Sequence, residues 1–413
     1  MPLIRPFKGL RPTSEKAGEV AAPPYDVVSH SEAVALAKDS PNNFLHISRP
    51  EIDLPEGTDP YSREVYDRGR LNLRRLINDG TLKQDDQECF YVYRLIDSGV
   101  TQTGLVVAAS IEAYDANAIK KHEFTRPEKE SDRVRQIDAL SAQTGPVLLT
   151  YSSVSEIDRV LTAAATRDPD IDVITRDNVR HQIWQISDRQ QIDFLVELFE
   201  GVPSLYIADG HHRSAAASRV RKIRRSELPS DGGLSYANDY FLAVVFPTEQ
   251  MRILSYNRVV SDLNGLKELE FLQRLRGDFL VEASSVPVVP DKKGTIGLYM
   301  RGGWSKLVLK PNVFFDHPIE KLDVSILSDR ILGPVLGIHD LRKDKRIDFV
   351  GGNRGTEELV SRVESGEMAC AFSLFPTQIQ DLMTIADEGE VMPPKSTWFE
   401  PKLADGLVSH ILE

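Results

Sequence analysis

The 413-residue sequence predicts a mixed α/β (α+β) protein. Apolar runs of strand length alternate along the chain with segments of helical periodicity, which is typical of proteins that pack helices against sheets. Hydrophobic residues make up 41% of the chain and charged residues 27%, which is ordinary for a globular protein in water. The predicted strands cover 89–96, 103–114, 146–152, 203–209 and 240–247, and the predicted helices cover 31–39, 60–80, 155–167, 189–201 and 264–279.

The length of the chain allows two or three domains. Past residue 262 the sequence has its own strand-like runs, TIGLYMR and WSKLVLK, and its own helix-like run, SILSDRILGPVLGI. We therefore predict a first region over 1–262 and an additional α/β region over 263–413.

Composition argues against several classes of protein. A formal net charge of -12 disfavours a protein whose main task is to grip nucleic acid. No apolar run is long enough to span a bilayer, and the N-terminus lacks the apolar stretch of a signal peptide, so we expect a cytoplasmic protein with no membrane partner. The two cysteines, Cys89 and Cys370, lie in strand-like contexts without metal-binding spacing and are expected to be buried reduced thiols.

The segment LYIADGHHRSAAA, which begins at residue 205, carries the clearest chemical signal. The run 203–209 predicts a strand that ends at Asp209, and the alanine- and arginine-rich run 214–225 predicts a helix. Gly210 permits a tight turn between them. A helix N-terminus presents N–H groups and a positive dipole end, which suit a phosphate. Four further side chains at this turn are candidate phosphate ligands: His211, His212, Arg213 and Ser214.

Asp209 gives this turn a chemical role beyond anion binding. A site that only held an anion would avoid a carboxylate, whereas a site for phosphoryl transfer can use one to take a proton or to hold Mg²⁺. Two other interpretations remain open. The histidines could satisfy backbone groups in a purely structural turn, or they could bind a metal with further ligands.

A second group of polar residues occurs in KKHEFTRPEKESDR, residues 120–133. Pro127 is suited to a first helical turn, and most of the charges fit a solvated helix start. The preceding loop mixes both charges with a hydroxyl, and loops often carry catalytic groups. Its candidate residues are His122, Glu123, Thr125 and Arg126.

Three proline-constrained or strand-terminal segments complete the set of candidates. Proline-rich loops of this kind are usually structural, although lysines with hydroxyl neighbours could line an anion site. The candidates are Tyr25 and Asp26 in APPYDVV, Asn257 and Arg258 in SYNRVV, and Lys395, Ser396, Thr397 and Lys402 in MPPKSTWFEPKLADGL.

Taken together, PFKGLRP, APPYDVV, KKHEFTRPEKESDR, ADGHHR, YNRVV and PPKSTWFEPKL resemble a large prokaryotic family catalogued as a domain of unknown function. The match runs from the first residues nearly to the last. The ADGHHRSAAA segment also resembles the phosphate-binding box of the ParB/sulfiredoxin superfamily, which includes free serine kinases with Asp-Gly-His-His-Arg. The resemblance implies a ParB/sulfiredoxin-like core within the first region.

Carried over by position, this resemblance implies that Asp209 is the catalytic acid or base and that residues 210–213 hold the donor phosphates. A glutamate that the kinases place near their N-terminus has no secure counterpart, and Glu123 is chosen for that role on chemical grounds. The Gly-Glu-Arg-Arg type box and helix-turn-helix of ParB proteins are not found. The cysteine that sulfiredoxin needs is replaced by His211.

The function predicted from the sequence is transfer of a phosphoryl group to a small hydroxyl substrate, with free L-serine as the best candidate. ATP, ADP or pyrophosphate is the expected donor and Mg²⁺ the expected metal. A phosphohydrolase using the same pocket and a ParB-like nucleotide-sensing or DNA-associated module are the alternatives. A homodimer is left open.

Overall fold

The computed structural model describes residues 1–227, 237–313 and 315–412. The chain divides into two compact units. The first comprises Met1–Lys121, Thr125–Met251 and Pro401–Glu413, and the second comprises His122–Phe124 and Arg252–Glu400.

Both units contain strands and helices, so the predicted mixed α/β class is confirmed. The strands are β1 (Ile4–Arg5), β2 (Gly9–Pro12), β3 (Leu82–Gln84), β4 (Phe90–Asp97), β5 (Val100–Ser110), β6 (Ile119–Lys120), β7 (Ala142–Gln143), β8 (Val147–Tyr151), β9 (Ile171–Ile174), β10 (Arg180–Ile186), β11 (Leu205–Asp209), β12 (Tyr240–Pro247), β13 (Ile253–Leu254), β14 (Tyr256–Val260), β15 (Phe279–Ser284), β16 (Thr295–Met300), β17 (Gly303–Leu309), β18 (Ile347–Gly351), β19 (Cys370–Leu374), β20 (Trp398–Phe399) and β21 (Ser409–Ile411). The α-helices are α1 (Ala17–Val20), α2 (His30–Ala37), α3 (Leu45–Ser48), α4 (Arg63–Asn78), α5 (Ile111–Asp115), α6 (Pro127–Leu140), α7 (Ser155–Ala164), α8 (Arg189–Glu200), α9 (His211–Glu227), α10 (Glu268–Leu275), α11 (Asp323–Leu327), α12 (Gly355–Glu364) and α13 (Ile379–Asp387).

The first unit is built on a nine-stranded sheet in the order β6-β11-β8-β12-β5-β4-β10-β9, with β1 paired to β5. The sheet is mixed, because β12 runs parallel to β8 whereas β11 runs antiparallel to it. The strands β8 and β12 are buried along their whole length, as expected for central strands covered on both faces. The strand β11, which leads into the Asp-Gly-His-His-Arg segment, pairs with β8 on one side and with β6 on the other.

The C-terminal segment returns to the first unit. Strand β21 pairs with β2 and β7 in a four-stranded sheet, β3-β2-β21-β7. Asp405 exchanges backbone hydrogen bonds with Ala22, and the N–H of Ala404 donates to the hydroxyl of Tyr93. The predicted boundary after residue 262 placed this segment in the other region, whereas the chain divides after Met251 and again before Pro401. Local pattern gives no indication of a strand pairing across so many residues.

The second unit has a six-stranded sheet in the order β15-β17-β16-β19-β14-β18, with antiparallel neighbours throughout. Helix α12 packs on it through Leu359 and Val363, beside Val259 and Ala371 of the central strands. Strands β13 and β20 form a separate pair within this unit.

The predicted elements occur close to their expected positions, with two differences. The apolar run 103–114 continues past β5 as helix α5, because the Ser110 side chain caps it by accepting the N–H of Ala113. The periodic run 264–279 is helical only over α10. At the start of this run, Asn264 and Gly265 adopt positive φ and are not helical. At its end, Phe279 already belongs to β15.

Two expectations from composition can be compared directly with the structure. Cys89 and Cys370 are both buried free thiols. Among the described residues, none of the helices combines the length and apolar character that crossing a membrane requires.

Candidate active site

The site is organised by the turn between β11 and α9. The strand ends at Asp209, and a register shift against β8 occurs between Ile207 and Asp209. Gly210 adopts φ +101°, which a residue with a side chain rarely tolerates, so the turn requires glycine. The N–H groups of Arg213 and Ser214 both donate to the carbonyl of Gly210. The N–H groups of the two histidines precede these first intrahelical bonds, where helices commonly hold phosphates.

Asp209 lies between two cations. Lys402 Nζ donates to Asp209 Oδ2 at 3.1 Å, and Arg213 Nη2 is 3.7 Å from Asp209 Oδ1. Burial opposes ionisation of this carboxyl group, but the charges of Lys402 and Arg213 outweigh it and hold the pKa of Asp209 well below its usual range. About a third of the side chain is exposed. Asp209 is therefore an ionised, accessible carboxylate at a helix N-terminus.

Lys402 is the principal residue that the sequence reasoning did not assign to the phosphate box. Lys402 belongs to the C-terminal segment that returns to the first unit. It lies 193 residues after Asp209 in the sequence. The motif KSTWFEPKLADGL drew attention to this lysine, but no local pattern connects it with Asp209. Pairing of β21 with β2 and β7 brings it there.

The side chain of Arg213 folds back against the turn. Its Nη1 donates to the carbonyl of Pro146, and only a tenth of the side chain is exposed. A methyl group on Gly210 would lie 3.0 Å from Arg213 Nε, so the glycine also makes room for the guanidinium. Arg213 therefore supports Asp209 from the protein interior, and its predicted contact with donor phosphates stays a prediction.

The other residues of the box differ in how they are placed. His212 Nε2 accepts the N–H of Arg126, which ties the loop before α6 to the turn. His211 is buried. The hydroxyl of Ser214 donates to the carbonyl of His211, and its N–H donates to Gly210, so both donors of this predicted phosphate ligand are used within the helix.

The start of α6 is held against α9 through a carboxylate. Thr125 Oγ1 donates to Glu130 Oε2 at 2.6 Å, and Arg219 Nη1 donates to Glu130 Oε1 at 3.0 Å. Arg126 precedes Pro127, which occupies the first helical position as predicted. Arg126 is thus joined to the turn between β11 and α9 through His212, and Thr125 is joined to α6 through Glu130.

The segment APPYDVV is also part of the first unit. Arg49 Nη1 donates to the carbonyls of Tyr25 and Val28, at 3.0 and 2.7 Å, and fixes its path. The Arg133 guanidinium lies 3.9 Å from the centre of the Tyr25 ring. Asp26 is exposed. Burial and the nearby Asp26 charge raise the pKa of Tyr25, so its hydroxyl remains protonated.

Asp405 is a second carboxylate near Arg213 and is 2% exposed. Burial raises its pKa to about 7, although the charges of Arg213 and Arg133 oppose that rise. In the unfolded chain an aspartate titrates near 3.9. Between about pH 4 and 7 the folded protein therefore holds a proton here that the unfolded chain has already released, and above that range Asp405 is an ionised carboxylate.

This difference predicts a pH-dependent stability. Between about pH 4 and 7 the unfolded chain gains charge at Asp405 before the folded protein does, so wild type loses up to about 4 kcal/mol across that window. Asp405→Asn removes this loss. We expect the melting temperature of Asp405→Asn minus that of wild type to rise from pH 5 to pH 8 in thermal unfolding. A constant difference would show that Asp405 is already ionised at pH 5, whereas Asp193→Asn, on the exposed face of α8, should give no trend.

The remaining predicted residues belong to the second unit. His122 is buried, and its carbonyl accepts the N–H of Met392. Glu123 lies in the same three-residue segment, His122–Phe124. Its predicted role as catalytic base stays a prediction.

The residues predicted from SYNRVV and the MPPKSTWFEPKLADGL segment meet within this second unit. Buried Arg258 donates from Nη2 to the carbonyl of Lys395, and its guanidinium lies 5.0 Å from the Phe349 ring centre. Burial lowers the pKa of Arg258 to about 10. Asn257 Oδ1 accepts the N–H of Leu374. These contacts fix the loop that contains Lys395, Ser396 and Thr397.

The arginine-rich helix α9 is neutralised by acidic partners. Beyond the phosphate box, its basic residues in the described part of the chain each lie within 4.0 Å of a carboxylate. The pairs are Arg219–Glu130, Arg221–Asp239, Lys222–Asp115, Arg224–Asp138 and Arg225–Asp239. This helix consequently carries little uncompensated positive charge.

Comparison with protein families connects this geometry with known proteins. Residues 4–325 match the model of the family described as "Protein of unknown function (DUF1015)". The chain belongs to this family. In this DUF1015 member, Asp209 and Arg213 lie inside the matched region, whereas Lys402 and Asp405 lie beyond its end. None of the curated proteins matches the chain.

Three solved structures illustrate what this DUF1015 member is similar to. A conserved hypothetical protein from Pyrococcus furiosus is 13% identical, with a TM-score of 0.36, and the match covers 73% of this chain and 93% of that one. SbnI with a C-terminal truncation, from Staphylococcus aureus, is 11% identical, with a TM-score of 0.37, covering 73% and 85%. A free serine kinase in complex with AMP is 12% identical, with a TM-score of 0.35, covering 73% and 92%. The predicted ParB/sulfiredoxin-like core stays a prediction.

Proposed function

We propose that this protein is a phosphotransferase that phosphorylates a small hydroxyl substrate, with free L-serine as the acceptor and ATP, ADP or pyrophosphate as the donor. The observation that supports this function is the ionised Asp209 clamped by Lys402 at the N-terminus of α9. A phosphate-binding turn with a fixed, partly exposed carboxylate suits group transfer better than simple anion storage. The Asp-Gly-His-His-Arg sequence adds its resemblance to the free serine kinases.

Phosphoryl transfer needs positive groups that bind the donor phosphates and a carboxylate that accepts the hydroxyl proton. Donor phosphates bind the N–H groups at the start of α9, and Lys402 and Arg213 supply positive charge beside them. The acceptor oxygen forms a bond to the terminal phosphorus while the bond from phosphorus to the leaving oxygen breaks. The hydroxyl proton passes to a carboxylate. Because the pKa of Asp209 is held low, this residue is a weak base, and Glu123 remains the proposed proton acceptor.

Asp209 also fits the expected metal. An ionised carboxylate that is about a third exposed is the oxygen ligand that Mg²⁺ prefers, and Mg²⁺ usually joins few protein carboxylates to substrate phosphates. Bound Mg²⁺ would neutralise charge on the donor oxygens. Lys402 would then exchange its contact with Asp209 for one with a phosphate.

The test is direct. The protein is incubated with L-serine, Mg²⁺ and each donor separately, and O-phosphoserine is measured by mass spectrometry, with Asp209→Asn as the inactive control. O-phosphoserine that depends on Asp209 supports the proposal. Release of phosphate without a phosphorylated acceptor would favour the phosphohydrolase. Nucleotide binding with salt-dependent DNA retention and no transfer would favour the ParB-like module, which the paired charges of α9 oppose.

A further inference from the structure

A small cavity of the first unit lies beside Arg213 and has a volume of about 30 Å³. A single water needs roughly 10–15 Å³ on the same measure. One part of the wall is apolar and includes Val147, Phe241 and Leu242. The lining also includes the polar and charged side chains of Tyr25, Arg133, Arg213 and Asp405.

Three residues that line this cavity each carry a buried polar atom that has no hydrogen-bond partner among the described residues. The atoms are Ser48 Oγ, Asp405 Oδ1 and Arg213 Nε. Buried polar groups almost always have partners, so such atoms together indicate a missing occupant. The three atoms require different hydrogen-bond partners. Asp405 Oδ1 needs a donor, Arg213 Nε–H needs an acceptor, and the Ser48 hydroxyl can bond with either.

Gly145 keeps the space between the acid and the guanidinium open. A methyl group at this position would lie 3.2 Å from Asp405 Oδ1 and 3.7 Å from Arg213 Nη1. The φ of Gly145 lies outside the left-handed region, so the backbone does not require glycine for its conformation. The missing side chain therefore serves to leave room where two opposite charges converge.

We propose that this cavity binds the ammonium and carboxylate groups of an α-amino acid, and that it is the acceptor subsite of the proposed phosphotransferase. The carboxylate accepts from Arg213 Nε, and the ammonium donates to Asp405 Oδ1. An anion alone would leave Asp405 without a donor, and a cation alone would face both Arg133 and Arg213. The heavy atoms of a head group are bonded about 1.5 Å apart, much closer than neighbouring water molecules. An ammonium and a carboxylate on one carbon therefore fit into the volume of two or three waters.

The position of the cavity suits this role, which rests on the proposed function. Arg213 lines the cavity and also lies 3.7 Å from Asp209. One guanidinium thus connects the acceptor head group with the carboxylate of the phosphate box. The subsite also gives the C-terminal segment a second function, since it supplies Asp405 here and Lys402 at the phosphate box.

The experiment is isothermal titration of the full chain without any phosphate donor, so it does not depend on phosphoryl transfer. L-serine and L-alanine share the head group, ethanolamine lacks the carboxylate and 3-hydroxypropionate lacks the ammonium. We expect the two amino acids to bind, and the two single-charge compounds to bind at least 10-fold more weakly. Binding of a single-charge compound as tightly as L-serine would overturn the proposal, as would an absence of amino-acid binding, which would leave a cavity for water only.

Two variants test the location of the binding site. Gly145→Ala should weaken L-serine binding at least 10-fold while ADP binding is retained, and Gly18→Ala is the matched control because nothing lies within 4 Å of its added methyl group. Asp405→Asn should lose the preference for L-serine over 3-hydroxypropionate. This variant replaces Gly145→Ala as the test of location if Gly145→Ala does not fold. Unchanged L-serine binding in both variants would overturn the subsite. Amino-acid binding without O-phosphoserine formation would instead support the subsite and contradict the proposed function.

Discussion

Asp209→Asn is expected to lower turnover by on the order of 10²–10⁴-fold while donor binding holds or tightens. Asparagine keeps the size of the side chain but cannot supply the full negative charge that the proposed role of Asp209 as an Mg²⁺ ligand requires. Removing the carboxylate also leaves Lys402 and Arg213 without their shared anion, so a phosphate donor meets more positive charge. The measurement is kcat at saturating L-serine and donor, together with titration of ADP and pyrophosphate.

The matched control for this variant is Asp193→Asn, whose carboxylate pairs with Arg189 on an exposed face of α8 and should leave turnover unchanged. Glu123→Gln separates the two carboxylate roles: a comparable loss assigns proton transfer to Glu123, and a smaller one assigns it a positioning role. Near-full activity of Asp209→Asn would show that the turn holds a phosphate but that the chemistry belongs elsewhere.

Lys402→Gln should weaken donor binding by about 10- to 100-fold, because a hydrogen bond to a charged group contributes about 1.5–3 kcal/mol. The same change should raise the pKa of Asp209, since Lys402 contributes the largest of the charges that lower it. Activity should then fall at a higher pH on the acid side of the pH–rate profile. Titration of ADP and a profile of kcat/KM from pH 4 to 8 measure the two effects.

Lys402→Arg keeps the positive charge and should recover part of the donor affinity. Lys83→Gln, at an exposed position in β3, is the matched control for loss of one lysine from the first unit. If Lys402→Gln binds ADP as tightly as wild type and its activity falls at the same acidic pH, then Lys402 only stabilises the Asp209 carboxylate in the absence of substrate. Thermal unfolding of each variant distinguishes a lost contact from a lost fold.

Local sequence predicted the strand, turn and helix over residues 205–227 well because their geometry is local. A strand that ends at Asp209, a glycine suited to positive φ and an alanine-rich helix are properties of neighbouring residues, and the structure contains each of them. The orientation of Arg213 was not predictable in the same way. Its side chain donates to the carbonyl of Pro146, which precedes β8 and lies 67 residues away in the sequence.

Local sequence patterns therefore predict the mixed α/β class, the reduced thiols and the strand, turn and helix over residues 205–227. These depend on periodicity, composition and short-range turn geometry, which act within a few residues. Only the tertiary structure placed Lys402 against Asp209 and brought Asp405 and Gly145 to one cavity. Those contacts arise from the pairing of β21 with β2 and β7, and the free energy of that pairing depends on residues hundreds of positions apart along the chain.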